Sequence, residues 1–283
     1  MMQKQFPRTV VGGKSVSRML IGTNWLLGWS HRTPSADRSI TTKYNSDEAF
    51  FPVFEAYMQY GIDTVMAPMD EKIVRAIRYA EDKLGKKFIL VDTPQINVDD
   101  NAAARREAEV RIKQSAANGC DFCLIHHASA EQLVNKNKGI IDRLDDYTKM
   151  IRDAGLIPGL SAHMPEMITY TDENGYDIET YIQIFNCAGF LMQVEIETVA
   201  SIIQNAKKPV MNIKSMAAGR VTPYVGLTFN WNVLRPCDMV TVGAFSADEV
   251  HEDVEISLAA LEHRFPNLEK RASPVMNQAA FGK

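Results

Sequence analysis

The chain has 283 residues, 46% hydrophobic and 23% charged, with 35 acidic against 31 basic side chains and a net charge of −4. Such proportions belong to a globular protein with ample core, and the interspersed charges exclude a dedicated nucleic-acid or anionic-membrane surface. No apolar run approaches the ~20 residues of a membrane span, the N-terminus has no signal-peptide core, and four cysteines are too few for a disulfide framework, so a cytoplasmic location is expected.

In chain order, a hairpin is predicted over residues 9–16, turning at Gly12-Gly13. Short apolar runs follow at 19–23, 63–66, 88–91, 121–125, 157–161, 190–194, 210–213 and 239–242, with the length and character of buried parallel strands. Helical patterns lie between them at 72–83, 102–117, 140–154, 178–185, 198–205 and 247–264. Gly61, Gly85, Gly119, Gly155 and Gly189 each stand shortly before a run, where a left-handed glycine can end a helix. Pro209 opens the run at 210, where its missing N–H does little harm.

Alternating strands and helices imply a parallel sheet, and about eight units imply closure. The expected fold is α/β: a (β/α)8 TIM barrel with an N-terminal β-hairpin. A doubly wound open sheet is the rival, and the lack of a Gly-rich phosphate loop after the first strand counts against it. With no linker or break in composition, one domain is expected over 1–283, with the hairpin at about 6–17, the barrel at about 18–264 and a surface helix and tail at about 265–283.

Six pieces, in order, carry a family likeness. They are Ile21-Gly22-Thr23-Asn24-Trp25, Leu124-Ile125-His126-His127, Gly159-Leu160-Ser161-Ala162-His163, Gln193-Val194-Glu195, Ile213-Lys214-Ser215-Met216-Ala217-Ala218-Gly219-Arg220, and Val242-Gly243-Ala244-Phe245-Ser246. Together they resemble the aldo-keto reductases. The resemblance implies a barrel whose fourth strand ends in the catalytic histidine, here His126. It also implies NADP bound near Ser161 and by Gly243 and Ser246 at the last helix. Four departures accompany it. Met66 stands where the family has Asp, no Tyr follows in the next loop, and Asp92 rather than Lys ends the third strand. The last strand also lacks the Lys and Arg that grip a 2′-phosphate, and Asp248 and Glu249 suit a helix N-terminus with no ligand.

In a TIM barrel the reaction faces the C-terminal ends of the strands. Those ends bring Asn24, Asp92, His126, His163, Glu195 and Lys214 into consideration. His126 shares a strand face with Phe122 and Leu124, while His127 points the other way. Glu195, on one face with Gln193, needs a partner if buried. Lys214 on the adjoining strand can supply it, as a structural pair, an acid–base pair or, through its amine, a Schiff-base former. Asp92 suits a metal, a sugar hydroxyl or proton abstraction, or it caps its own loop. His126, His163, Glu195 and Asp92 could together hold a divalent metal. The long loop after the first strand carries Trp25 and Trp29, which can stack on a ring, and His31 and Arg32, which can hold an anion; it can equally plug the mouth. Cys120 and Cys123 form a C-x-x-C pair at a strand start and read as packing residues. The final segment has no cysteine, which excludes an iron–sulfur cluster there.

Three functions follow in order of expectation. The first is an enzyme with a replaced catalytic set (His126, Glu195, Lys214, Asp92 and His163) acting by acid–base or metal-assisted chemistry on a small hydroxylated or carbonyl compound. The second is an NADPH-dependent carbonyl reductase with another proton donor. The third is a non-catalytic binding subunit. NADP and a divalent metal stay open as cofactors. The partner expected is a small molecule, with no nucleic acid or membrane, and a homo-oligomer is a candidate assembly.

Overall fold

A computed structural model describes residues 4–268. Strands β1 (Arg8–Val11) and β2 (Lys14–Ser17) pair antiparallel across Gly12 and Gly13. Both glycines take positive φ, as so short a connection demands. Eight parallel strands then close into a barrel. They are β3 (Met19–Gly22), β4 (Thr64–Ala67), β5 (Ile89–Asp92), β6 (Phe122–Ile125), β9 (Ile157–Ser161), β10 (Thr180–Ile184), β11 (Val210–Ile213) and β12 (Met239–Val242). The last strand pairs with the first, Val240 opposite Met19 and Val242 opposite Ile21. A small hairpin of β7 (Val134–Asn135) and β8 (Ile140–Ile141) interrupts the connection from β6 to β9.

Inside the barrel, Leu20, Met66, Val91, Leu124, Ile182, Met211 and Met239 form one buried cluster with Val11 and Val16 of the hairpin. The hairpin therefore stoppers the N-terminal end. Lys14 is ion-paired to Asp121 and Arg8 to Asp63 at 3.0 Å, which fixes it there. Gly159 makes room for this packing, since a Cβ on it would lie 2.4 Å from Leu124 Cγ. The opposite faces of the strands pack against surrounding helices in a larger apolar layer. With the bottom closed and the interior filled, the open end is the C-terminal rim. Among the described residues no helix is long and apolar enough to cross a membrane.

One strand lies elsewhere than expected. The sixth barrel strand is Thr180–Ile184, read from sequence as part of a helix, and residues 190–194 form a loop. Thr-Tyr-Ile-Gln-Ile is β-branched and aromatic, and all five residues are buried. So short an apolar run does not declare its own period, and β-branched content was the better guide. The expected helix at 140–154 begins at Leu144, after β8. Helices Pro34–Lys43, Asp47–Gln59, Glu166–Asn174 and Pro223–Val233 were not anticipated. The surface helix and tail expected after residue 264 fall mostly outside the described residues, which end at Leu268.

Candidate active site

A cleft of about 450 Å³ opens at the C-terminal rim, lined by residues that follow β3, β4, β5, β6, β9, β11 and β12. His126, His127 and His163 form one wall. The rings of His126 and His127 are 4.2 Å apart, and those of His127 and His163 are stacked at 3.7 Å. Burial, with His127 and Lys214 nearby, pushes the His126 imidazolium down to about 4. Burial and the neighbouring cationic groups take His163 to about 3. His127 is lowered in the same direction, so the wall is neutral at pH 7.

His126 also has a defined tautomer. The chain leaves β6 at Ile125, and His126 caps the short helix His127–Ala130, its Nδ1 accepting the Ala128 N–H at 3.3 Å. A neutral ring that accepts at Nδ1 carries its proton on Nε2. His126, which lines the cleft, therefore carries an N–H donor at Nε2.

Lys214 follows β11 and lines the same cleft. Its φ is +60°, a strained value for a side chain with a Cβ. It is half-buried, and burial alone pushes its ammonium below the usual lysine range. Among the described residues no acidic side chain lines the cleft, so this ammonium meets no carboxylate in the cleft lining. Strain concentrates here: His31, Leu191, Lys214 and Ala218, all lining residues, are among the seven non-glycine residues with positive φ in the described part of the chain. The neighbouring rim is tied together by Arg220, which donates to the His31 carbonyl at 3.1 Å and lies over the Phe190 ring at 4.0 Å.

Helix Pro223–Val233 holds the Lys214 segment from behind. A Cβ at Gly226 would meet the Ser215 carbonyl oxygen at 2.7 Å and the Met216 Cα at 3.2 Å. Those are backbone atoms, which cannot rotate away. Gly226→Ala is expected to cost about 1–3 kcal/mol as an overpacking change and to lower the thermal midpoint by roughly 3–10 °C in a calorimetric scan. An unchanged midpoint would show that the Lys214 segment is free to move.

By sequence, no protein-family model and no curated protein matches the chain. By structure it is similar to a candidate aldo-keto reductase from Pseudomonas aeruginosa, with 14% identity, TM-score 0.67, and 92% of this chain and 99% of that one covered. It is also similar to the aldo-keto reductase of Bacillus halodurans in its holo form, with 11% identity, TM-score 0.61, and 95% and 99% covered. A third similar structure is an aldo/keto reductase from Brucella melitensis, with 12% identity, TM-score 0.56, and 93% and 99% covered. The chain folds as an aldo-keto-reductase-like TIM barrel. At these identities the likeness concerns the fold.

In this aldo-keto-reductase-like barrel the rim gathers Asn24, Trp25, Trp29, His31, His126, Ser161, His163, Lys214 and Gly243, all of which line the cleft. Trp25 packs edge-on to Phe245 at 6.5 Å, and Trp29 stays 46% exposed at the entrance. Arg32 is exposed and lies beside Gly219 at the rim.

Several expected residues stand apart. Asp92 is fully buried on the outer face of β5, away from the cleft. It accepts from the Met69 N–H at 3.0 Å and the Ser115 hydroxyl at 2.6 Å, and pairs with Arg111 at 3.1 Å. Because β5 alternates, Ile89 and Val91 take the barrel side while Asp92 shares the helix-facing side with Leu90. Glu195 and Gln193 are exposed, and Glu195 precedes helix Ile196–Asn205. The expected Glu195–Lys214 pair does not form, because the sixth strand ends at Ile184 instead. Nor do His126, His163, Glu195 and Asp92 converge as a metal set. The Ser246 hydroxyl accepts the Glu249 N–H at 3.2 Å, and Glu249 accepts the Phe245 N–H at 2.7 Å. The N-terminus of helix Ala247–Leu261 is thus capped by its own residues. All four cysteines are free, and burial pushes the Cys123 thiol up to about 12.

Two residues escaped the sequence reading. His127 was assigned the opposite face to His126, but strand alternation stops at Ile125 and both rings enter one wall. Glu131 lies one helical turn beyond His127. The His-x-x-x-Glu spacing was legible, since residues four apart share a helix face, but it has meaning only once His127 is helical.

Proposed function

We propose that this protein is an enzyme that moves a proton beside the carbonyl of a small hydroxylated carbonyl compound, with Lys214 as the proton carrier and His126 as the carbonyl's hydrogen-bond donor. The observation that carries the reading is Lys214, half-buried in a cleft that has no acidic lining residue among the described residues and that is also lined by His126, a neutral ring protonated at Nε2. A lysine depressed by desolvation reaches its free amine more readily near neutral pH, the state a general base requires. In the forward step the Lys214 amine takes a proton from the carbon next to the carbonyl. The C–H electron pair forms the C=C bond, and the carbonyl π pair moves onto oxygen. There the His126 N–H stabilises the developing enolate. The ammonium then returns the proton. Trp25 and Trp29 shield the cleft, and Arg32 at the rim suits a substrate with an anionic end.

The fold likeness joined to the residues that replace the family's usual set supports this reading over ordinary carbonyl reduction. Met66 faces the barrel interior where the resemblance calls for Asp. Thr93 lines the cleft after β5, and Asp92 turns outward. The reductase alternative draws on the same fold likeness, with Ser161 and Gly243 lining the cleft. One assay separates the two. The protein is incubated in D2O with dihydroxyacetone, dihydroxyacetone phosphate or pyruvate, and solvent deuterium in the carbon-bound positions is followed by NMR. Cofactor-free exchange above the protein-free rate is expected for at least one compound. Turnover seen only as NADPH oxidation, with no exchange, would transfer the protein to the reductases.

A further inference from the structure

We infer that His127, Glu131 and His163 form a binding site for one divalent transition-metal cation, Zn2+ or a chemically similar ion. The inference goes beyond the lysine chemistry above and does not depend on it.

One ligand atom from each of the three residues lies within 4.8 Å of the other two. Ligands of a tetrahedral Zn2+ at ~2.1 Å stand roughly 3.4 Å apart, so closure asks for side-chain adjustments of about an ångström. Two imidazoles and one carboxylate make a donor set of the kind that catalytic divalent sites use, with positions left over for water or substrate. Both histidines line the cleft, so the free positions would face a ligand bound there.

The local structure prepares the set. His127 opens the short helix His127–Ala130 and Glu131 opens the helical turn Glu131–Leu133 that continues it. The two are four residues apart, on one face. The Glu131 Oε1 accepts the N–H groups of His163 and Met164, the latter at 3.0 Å. This double bond to the backbone after β9 orients the carboxylate toward the residue that would share its ion. Such outer hydrogen bonds hold metal ligands in place. Among the described residues no group bonds to Oε2, which is left for the cation. The rings of His127 and His163 stack at 3.7 Å, so they are already neighbours, and cation binding requires them to rotate out of parallel until both in-plane lone pairs meet the ion.

The nearby positive charge sets the sign of a control. Lys214 lies close enough to His127 and His163 to depress both, so its ammonium opposes a cation. Removing that charge should tighten metal binding, whereas removing a ligand should abolish it.

The test uses the full-length protein after dialysis against a chelator, titrated with Co2+ and followed by its visible ligand-field bands, then challenged with Zn2+. One Co2+ per chain is expected, displaced by one Zn2+. Outer-sphere changes cost metal sites about 10–100-fold in affinity. His127→Ala, Glu131→Gln and His163→Ala, which remove ligands, should each lose at least that. Gln at 131 keeps an oxygen for the two backbone N–H groups, so this variant tests the ligand rather than the fold. His126→Ala should retain the cation, and Lys214→Met should bind it as well or more tightly. No Co2+ or Zn2+ uptake at millimolar metal would overturn the site. So would affinity unchanged in Glu131→Gln or in either histidine variant.

Discussion

Replacing Lys214 with methionine should lower the rate of solvent-deuterium exchange by about 10²–10⁴-fold, the usual share of a positioned acid–base group, and at the same time raise the thermal midpoint. The two effects have one cause. A half-buried ammonium that meets no carboxylate in its cleft lining destabilises the folded state through lost hydration. Methionine fills nearly the same volume without that penalty, and it inherits the same backbone strain at φ +60°, so strain does not confuse the comparison. A residue that weakens the fold while serving the reaction is what a stability–activity trade-off looks like at one position. The alternative is that Lys214 is a packing residue whose stem supports the loop, in which case the variant melts earlier. Calorimetry and exchange measured on one preparation separate the cases. A lower midpoint with unchanged exchange would remove Lys214 from the mechanism, and a lower midpoint with lost exchange would leave only a structural role.

The barrel could be read from sequence because its signals are redundant. Apolar runs such as Val210–Ile213, left-handed glycines before strands, and a Gly-Gly hairpin all point to one topology, so a single misplaced strand does not change it. The site lacks that redundancy. It depends on which residue ends each strand, and a displacement of a few positions moves a carboxylate from the cleft to solvent. Reading 190–194 as the sixth strand placed Glu195 beside Lys214; the true strand, Thr180–Ile184, leaves Glu195 outside. His126, His163 and Lys214 were placed well because β6, β9 and β11 were located to within a residue. His127 was misjudged because period-two alternation was extended one residue past the end of β6, into a helix N-cap. Among the described residues the cleft lining carries no acidic group, a property of the closed fold that has no local signature in the chain.

Asp92 shows the same limit from the other side, and its replacement should be strongly damaging to stability. The sequence shows a carboxylate at the end of a barrel strand, the position where chemistry is expected. The structure turns it outward into the layer between β5 and helix Ala102–Ala117, fully buried and holding three partners. Asp92→Ala would strand the Met69 N–H and the Ser115 hydroxyl, leave Arg111 without its ion pair, and open a small void. Losing a buried carboxylate of this kind costs about 3–5 kcal/mol when both partners are sequestered. The Arg111 side chain is 30% exposed and can turn toward water, so about 2–4 kcal/mol is the better expectation. In a chain of this size that corresponds to a fall of roughly 5–15 °C in the melting midpoint. Below that midpoint the deuterium exchange of the folded fraction should match wild type, because Asp92 does not reach the cleft. A variant that stays as stable as wild type but no longer exchanges would reverse the assignment and return Asp92 to the reaction.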